Sequence, residues 1–329
     1  MTRAPRSVCV AGGTGTIGRA VVAELLHRGD RVTCLVRHGR AQQAAQRLPD
    51  FPAGCTVRPV DFSDSSSLDR DGLAGAPFDA IISCLASRTG TPDDAWAVDH
   101  RANLNLMQAA LSNQATQFVL LSAICVQKPL LAFQHAKLAF EAALAQSGMR
   151  YSIVRPTAFF KSLSGQIERV RKGRPFLVFG NGELTACKPI SDRDLARYII
   201  DCLDDTDRWN RILPIGGPGP AITPREQGEM LFAMLGKRPR FRSMPLALLD
   251  AIVGILGLGG RIVPDLARKA ELARIGRYYA SESMLVFDPQ TGRYDAAATP
   301  STGSDTLADH YRSVLSGAAR VDLGDHAVF

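Results

Sequence analysis

The sequence lacks a cysteine framework and a long apolar run. Its seven cysteines are scattered and no two are spaced as C-x-x-C, which argues against a disulfide scaffold, a zinc ribbon or an iron–sulfur ligand set. The most apolar stretch, residues 246–258, is interrupted by Asp250 and Gly254 and falls short of the roughly 20 residues that a membrane span needs. We therefore expect reduced cysteines, no protein-bound metal, no transmembrane helix, and a buried lid for residues 246–258.

Charge of one sign is also not in large excess. The 39 Lys and Arg against 32 Asp and Glu give a net charge of +7, which suits anionic ligands without requiring nucleic acid. The 329 residues are 46% hydrophobic, enough for one large domain or two ordinary ones. The first predicted strand begins at residue 7, which leaves no room for a signal or transit peptide, so we expect a cytoplasmic protein.

The N-terminal half alternates between short β-branched runs and amphipathic stretches, as repeated βαβ units do. The predicted strands are residues 7–11, 31–37, 56–60, 80–84, 117–122 and 151–155. The predicted helices between them are residues 17–28, 65–73, 99–111 and 133–146. The fold class is therefore α/β, with a Rossmann-type doubly wound parallel sheet.

The pattern loosens after Pro156 into a smaller mixed α/β part. Helices are predicted at 163–172, at 191–203 and, after the capping box Thr223-x-x-Glu226, at 224–235, with a hairpin around residues 180–182. We place a soft domain boundary there, with 1–156 as the first domain and 157–329 as a second part that covers the mouth of the sheet and returns some elements to it.

A glycine-rich turn joins the first predicted strand to the first predicted helix. The run Gly12-Gly13-Thr14-Gly15-Thr16-Ile17-Gly18 lies where a dinucleotide-binding turn brings backbone N–H groups and a helix N-terminus to a pyrophosphate. The second strand ends in Arg37, where an NAD enzyme usually has an acidic residue, and a guanidinium there suits the 2′-phosphate of NADPH. Arg19 and His38 could assist, and Asp61 and Phe62 could frame the adenine.

The catalytic tyrosine of short-chain reductases is missing. Ser122 ends the fifth strand and Lys137 lies on the next helix, but the position four residues before Lys137 is Phe133. Lys137 can bind the nicotinamide ribose, whereas a phenyl ring cannot transfer a proton. The chain is therefore either a non-catalytic binder or a reductase that needs no acid at a carbonyl oxygen. The residues expected to contact NADPH are Gly12, Thr14, Gly15, Thr16, Ile17, Gly18, Arg37, Asp61, Phe62, Cys84, Leu85, Ala86, Ser122, Lys137, Pro156 and Thr157.

Longer segments outside the glycine turn carry a family resemblance. Residues 119–131, 152–162, 179–182, 186–191, 214–219 and 275–280 closely resemble the NADPH-dependent divinyl chlorophyllide 8-vinyl-reductases, which are atypical short-chain reductases. The resemblance implies reduction of the 8-vinyl group of a divinyl (proto)chlorophyllide to ethyl in (bacterio)chlorophyll synthesis. The chain lacks the N-terminal extension of plant members and therefore looks bacterial.

The implied reaction agrees with the missing tyrosine. A vinyl group conjugated to a chlorin can accept hydride at its terminal carbon because the negative charge spreads into the macrocycle, as in an electron-sink cofactor. Lys137 and Ser122 are then the candidate catalytic residues, with Lys137 the first candidate for the second proton. The candidate substrate-binding residues are Phe159, Phe160, Lys161, Lys128 and Phe133.

The Mg-containing tetrapyrrole is the expected small-molecule partner, and peripheral contact with the photosynthetic membrane is a further expectation. The basic run 169–174 and the apolar stretch 246–258 could both reach an anionic surface. Two alternatives stay open: another NADPH double-bond reductase of the same group, acting on a phenylpropanoid or quinone, and a redox sensor that binds NADP without catalysis.

Overall fold

The computed structural model describes residues 4–38, 53–260 and 263–319. Its centre is a parallel sheet of seven strands in the order β3-β2-β1-β4-β5-β6-β8. The strands are β1 (Ser7–Ala11), β2 (Arg31–Arg37), β3 (Thr56–Val60), β4 (Ala80–Ser83), β5 (Gln117–Leu121), β6 (Arg150–Pro156) and β8 (Arg211–Ile215). This order confirms the predicted doubly wound α/β fold, and it reverses between β1 and β4, where such sheets bind their ligands.

Helices cover both faces of the sheet, which explains the nearly continuous apolar strands. The helices are α1 (Thr16–His27), α2 (Ser65–Ser67), α3 (Pro92–Ala95), α4 (Asn103–Ser112), α5 (Ala132–Gln146), α6 (Ile167–Arg171), α7 (Asp192–Asp201), α8 (Pro224–Met234), α9 (Leu246–Gly259), α10 (Pro264–Tyr279) and α11 (Leu307–Leu315). Cys9 and Phe118 face a core shared with α4 and α5. Val8 and Val119 face the opposite core, shared with α1 and α7.

The segments between these elements include two π-helical stretches. Leu68–Leu73 continues α2, and Trp96–Ala102 joins α3 to α4 as a widened turn. Short 3₁₀ turns occupy Ile124–Gln127, Phe160–Leu163 and Thr206–Arg208. The widened turn Trp96–Ala102 packs against α5, so it lies beside the helix that carries Lys137.

The part after residue 156 is built partly from contacts between distant segments. The predicted hairpin around residues 180–182 is wrong: β7 (Phe176–Phe179) pairs in parallel with β9 (Phe241–Met244). Gly180 and Gly182 do form a turn with positive φ, but the next residues leave it without pairing back. Among the described residues, the one β-hairpin is formed by β10 (Val286–Asp288) and β11 (Arg293–Asp295).

Helices α9 and α10 pack against each other as a hairpin. The predicted burial of this segment is wrong, because Leu249, which is 8% exposed, is the one buried residue of α9. Leu248, Ile255 and Leu258 are 42%, 70% and 66% exposed, since the partner helix covers only one side of α9. Within the described ranges, none of the helices combines the length and apolarity needed to cross a bilayer.

Candidate active site

The turn between β1 and α1 has the geometry of a phosphate-binding loop. The Gly15 N–H donates to the Gly12 carbonyl at 3.0 Å, and Gly12 has a φ of 79°, a left-handed conformation that favours glycine. Helix α1 begins at Thr16, so the N–H groups of its first turn have no acceptor within the helix. They form an anion site at the switch point of the sheet.

The glycines of this turn fit a bound dinucleotide. A Cβ on Gly12 would lie 2.6 Å from the Cys84 carbonyl, and one on Gly18 would lie 2.2 Å from the Gly12 oxygen, so the turn can close only with glycine at these positions. A Cβ on Gly15 would meet only the Gly12 oxygen, at 3.4 Å. Packing therefore does not require a glycine at residue 15, and the open space above it suits a pyrophosphate.

Strand β2 brings Arg37 to the same edge of the sheet. Arg37 and His38 are exposed, and both lower the pKa of Asp61, although its hydrogen bonds from Ser63 lower it more. The guanidinium is therefore exposed at the same edge of the sheet as the glycine turn, as a 2′-phosphate ligand should be. The Phe62 side chain is buried in the core, so Phe62 could frame an adenine only through its backbone.

Other predicted cofactor residues lie at or just after the ends of β4 and β6. Burial raises the pKa of the Cys84 thiol to about 12, while the Lys137 ammonium lowers it. Leu85 is buried and Ala86 is exposed. Pro156 ends β6, and Thr157 donates from its N–H to the Ile215 carbonyl at 2.9 Å.

Lys137 forms an ion pair with a residue that the sequence analysis missed. Its Nζ lies 2.9 Å from Asp99 Oδ1, and the two side chains are 11% and 0% exposed. Asp99 lies in the widened turn between α3 and α4, and its other oxygen, Oδ2, is buried with no hydrogen-bond partner among the described residues. The ammonium is therefore fixed at the crevice by a buried carboxylate.

Ser122 is part of a second buried polar group. Its Oγ donates to Glu141 Oε1 at 2.5 Å, and Glu141 forms an ion pair with Arg155 whose side chains are 4% and 14% exposed. The hydroxyl hydrogen of Ser122 is thus engaged by the protein, while its oxygen can still accept a hydrogen bond. Arg155 is likewise engaged and does not extend into solvent.

Phe133, which replaces the usual tyrosine, joins an apolar cluster at the carboxyl edge of the sheet. Helix α10 supplies much of this cluster. Its members are Ala123, Cys125, Leu131, Phe133, Ile275, Tyr278, Tyr279 and Met284. The Tyr278 hydroxyl donates to the carbonyls of Cys125 and Lys128, at 2.9 and 3.1 Å. Burial raises the pKa of Tyr279 well above its usual value. These residues therefore form a largely buried aromatic and aliphatic cluster at this edge of the sheet.

The remaining predicted substrate residues do not gather at one point. Lys128 Nζ contacts both carboxylate oxygens of Glu282, each at 2.8 Å. Phe159 packs against the core on the α1 side, and Phe160 is buried in the core of the second part. Lys161 reaches Thr16 in the phosphate-binding turn, with Nζ 3.3 Å from Oγ1.

Two signals could have led from the sequence to the missed residues. Glu141 lies one helical turn after Lys137, so both belong to one face of α5. Ile275, Tyr278 and Tyr279 all lie within segment 275–280, which carried part of the family resemblance. Asp99 gave no comparable signal, because its position depends on a π-helical turn that a 3.6-residue period does not predict.

A family of NAD(P)H-binding proteins matches residues 12–206, which includes the turn, Arg37 and Lys137. An NADPH-dependent quinone oxidoreductase from Escherichia coli, solved with NADPH, is similar in fold at 18% identity, with a TM-score of 0.66 over 94% of this chain and 99% of that one. The molecule is thus an NAD(P)H-binding protein with a Rossmann-type fold.

Curated relatives define the family more narrowly. The divinyl chlorophyllide a 8-vinyl-reductase of Zea mays is 49% identical over 98% of this chain and 83% of its own length. The enzyme of that name from Arabidopsis thaliana is 46% identical over 97% of this chain and 79% of its own length. The chain belongs to the divinyl chlorophyllide a 8-vinyl-reductase family.

Proposed function

We propose that this enzyme reduces the 8-vinyl group of a 3,8-divinyl (proto)chlorophyllide to ethyl, in the synthesis of (bacterio)chlorophyll. The observation that carries the proposal is Phe133 beside the intact Lys137–Asp99 pair. A ketone reductase needs a phenol near this lysine to protonate an oxygen, whereas an alkene conjugated to a chlorin needs none there, because the macrocycle takes up the negative charge.

The residues divide the work of binding and proton supply. NADPH, when bound, supplies the hydride for the terminal vinyl carbon. The turn from Gly12 to Gly18 holds the diphosphate, Arg37 binds the 2′-phosphate, and Lys137 orients the nicotinamide ribose. Asp99 keeps the Lys137 ammonium in place, so this lysine is our first candidate to hold the proton for the inner vinyl carbon.

We place the pigment against the apolar cluster that contains Phe133, with residues 157–329 as the substrate-binding part of the chain. A macrocycle is broad and flat, and such ligands bind to aromatic and aliphatic surfaces with a few polar contacts. Phe159 and Phe160 pack in two other cores, so neither belongs to this cluster. Lys128 is the candidate ligand of the pigment's propionate, and it would have to share its ammonium with Glu282. The other propionate candidate from the sequence, Lys161, lies at the phosphate-binding turn instead.

The direct test is to mix the pure protein with NADPH and divinyl chlorophyllide and to separate the pigments by chromatography. We expect an 8-ethyl pigment to accumulate with one NADPH consumed for each vinyl group. NADPH consumption with a quinone but not with the pigment would contradict the proposal and favour the quinone-reductase alternative. Cofactor binding without consumption in any of these mixtures would favour the redox sensor.

We also propose a cytoplasmic enzyme that touches the membrane at its periphery. The exposed apolar residues Leu248, Ile255 and Leu258 lie on one side of α9, at helical spacing. The exposed bases Lys237, Arg238, Arg240 and Arg242 come shortly before this helix. An apolar stripe accompanied by basic residues suits the surface of a bilayer that contains anionic lipid.

A further inference from the structure

Lys161 lies in a cavity next to the phosphate-binding turn, at a distance from the apolar cluster of Phe133. The cavity has a volume of about 530 Å³, and its lining includes Thr16 and Arg19 of α1, Lys161, and Asp192 of α7. The Lys161 ammonium donates to Thr16 Oγ1 at 3.3 Å. Thr16 is the first residue of α1, so this contact brings the positive charge to the anion site.

The path of the chain after β6 explains this position. In the sheet, β6 is separated from β1 by β5 and β4, which is three strand spacings or about 14 Å. Residues 157–159, before the 3₁₀ turn Phe160–Leu163, span up to about 11 Å when extended, and the long side chain of Lys161 covers the remaining distance. The Phe159 bridge to Ile190 and the Phe160 N–H bond to the Ile190 carbonyl hold this segment in place.

The electrostatics of the cavity leave the ammonium available to a ligand. Asp305 is paired with Arg193, and Asp309 with Arg312. Asp192 is largely buried: burial raises its pKa and Lys161 lowers it. The Lys161 ammonium carries three N–H donors. Within the described part of the chain it makes one hydrogen bond, to the neutral Thr16 hydroxyl, so two donors remain for a ligand.

We propose that Lys161 is a ligand of the NADPH diphosphate and that it adds a positive charge to the phosphate site beside Thr16. The assignment rests on NADPH binding and not on the identity of the pigment. It replaces the propionate role for this residue, because one ammonium at the turn cannot also serve the apolar cluster around Phe133.

Binding titrations without pigment test this assignment. NADPH, NADH and ADP-ribose share a diphosphate, but only NADPH has a 2′-phosphate. Since a charge-assisted hydrogen bond is lost, we expect Lys161→Ala to raise the dissociation constants of all three ligands by a similar factor of about ten. Lys161→Arg should restore most of the affinity, and Lys172→Ala, at an exposed lysine after α6, should change none of the three.

Two results would overturn the proposal. Unchanged affinity for all three ligands would exclude a diphosphate contact and return Lys161 to the propionate role. Weaker binding of NADPH alone would make it a 2′-phosphate ligand instead. Far-ultraviolet circular dichroism and a thermal melt of each variant exclude loss of fold, and Lys161→Gln provides a second neutral variant. Because no turnover is measured, failure of the proposed reaction would leave this test intact.

Discussion

At the scale of single residues, the Lys137–Asp99 pair carries the proposed chemistry. Asp99 is completely buried and Lys137 nearly so. A buried charge is costly unless it is paired, so each member fixes the other. This arrangement keeps the Lys137 ammonium in place although the usual tyrosine position is occupied by Phe133.

Lys137→Ala should lower turnover far more than it lowers NADPH affinity. General acid catalysis contributes about 10²- to 10⁴-fold, so we expect kcat to fall by at least about a hundredfold, with a much smaller change in the dissociation constant of NADPH. Steady-state kinetics with the pigment and a cofactor titration give the two values. His135→Ala, at an exposed position on the same helix, is the control. Unchanged turnover in Lys137→Ala would remove this residue from the mechanism.

Arg37 should determine the preference for NADPH. Removing its guanidinium loses a charge-assisted contact with the 2′-phosphate, which NADH lacks, so Arg37→Ala should weaken NADPH binding by about ten- to a hundredfold and leave NADH binding unchanged. Arg31→Ala removes an exposed arginine at the opposite end of β2 and should affect neither cofactor. Equal weakening of both cofactors would show that Arg37 acts elsewhere than at the 2′-phosphate.

At the scale of elements, the sheet could be predicted because each strand carries its own signal. The β-branched runs gave β1, β2 and β3 with the observed bounds, and the glycine turn followed from the step between β1 and α1. The pairing of β7 with β9 depends on partners some 60 residues apart, here Phe176 and Phe241. No local pattern specifies such a partner, and the glycine turn at residues 180–182 by itself predicts a hairpin.

The candidate site, like the sheet, could be predicted only where its residues depend on local sequence patterns. The glycine turn, Arg37 and Lys137 lie at strand ends or on a regular helix, so their positions follow from the fold class. Asp99 and Glu141 are buried charges, and their roles depend on their ion-pair partners, Lys137 and Arg155. That information is tertiary, and it also decides that Lys161 reaches Thr16.

The buried contact of α5 with β6 through Glu141 and Arg155 should matter for stability. Glu141→Ala leaves the Arg155 charge buried without its partner, which costs about 3–5 kcal/mol of unfolding free energy. Replacing both residues by Met should recover much of this loss, because no charge is then left buried. Urea unfolding measures the difference.

Glu168→Ala serves as the control for that experiment. It breaks the Glu168–Arg171 pair, whose side chains are 57% and 56% exposed, and exposed pairs contribute only about 0–1 kcal/mol. If Glu141→Ala cost no more than Glu168→Ala, the buried pair would not stabilise the junction of α5 and β6.

At the scale of the whole molecule, the distribution of apolar surface separates the two parts of the chain. The sheet is covered on both faces, whereas the α9–α10 hairpin presents Ile255 and Leu258 to solvent. A pigment with a broad apolar ring system is poorly soluble in water. An enzyme that takes such a pigment from a membrane would therefore benefit from an apolar surface that binds to the bilayer.

Vesicle flotation tests this role of the hairpin. We expect the protein to float with vesicles that contain an anionic phospholipid, and less so at high salt, because screening weakens its attraction to the surface. Ile255→Glu with Leu258→Glu should reduce the bound fraction at least about tenfold, since each apolar side chain contributes about 1.5–3 kcal/mol when fully buried. Leu111→Glu changes a residue that is 42% exposed on a different helix and should bind like the unmodified protein. Equal loss of binding in both variants would mean that added negative charge, and not the α9 stripe, determines membrane contact.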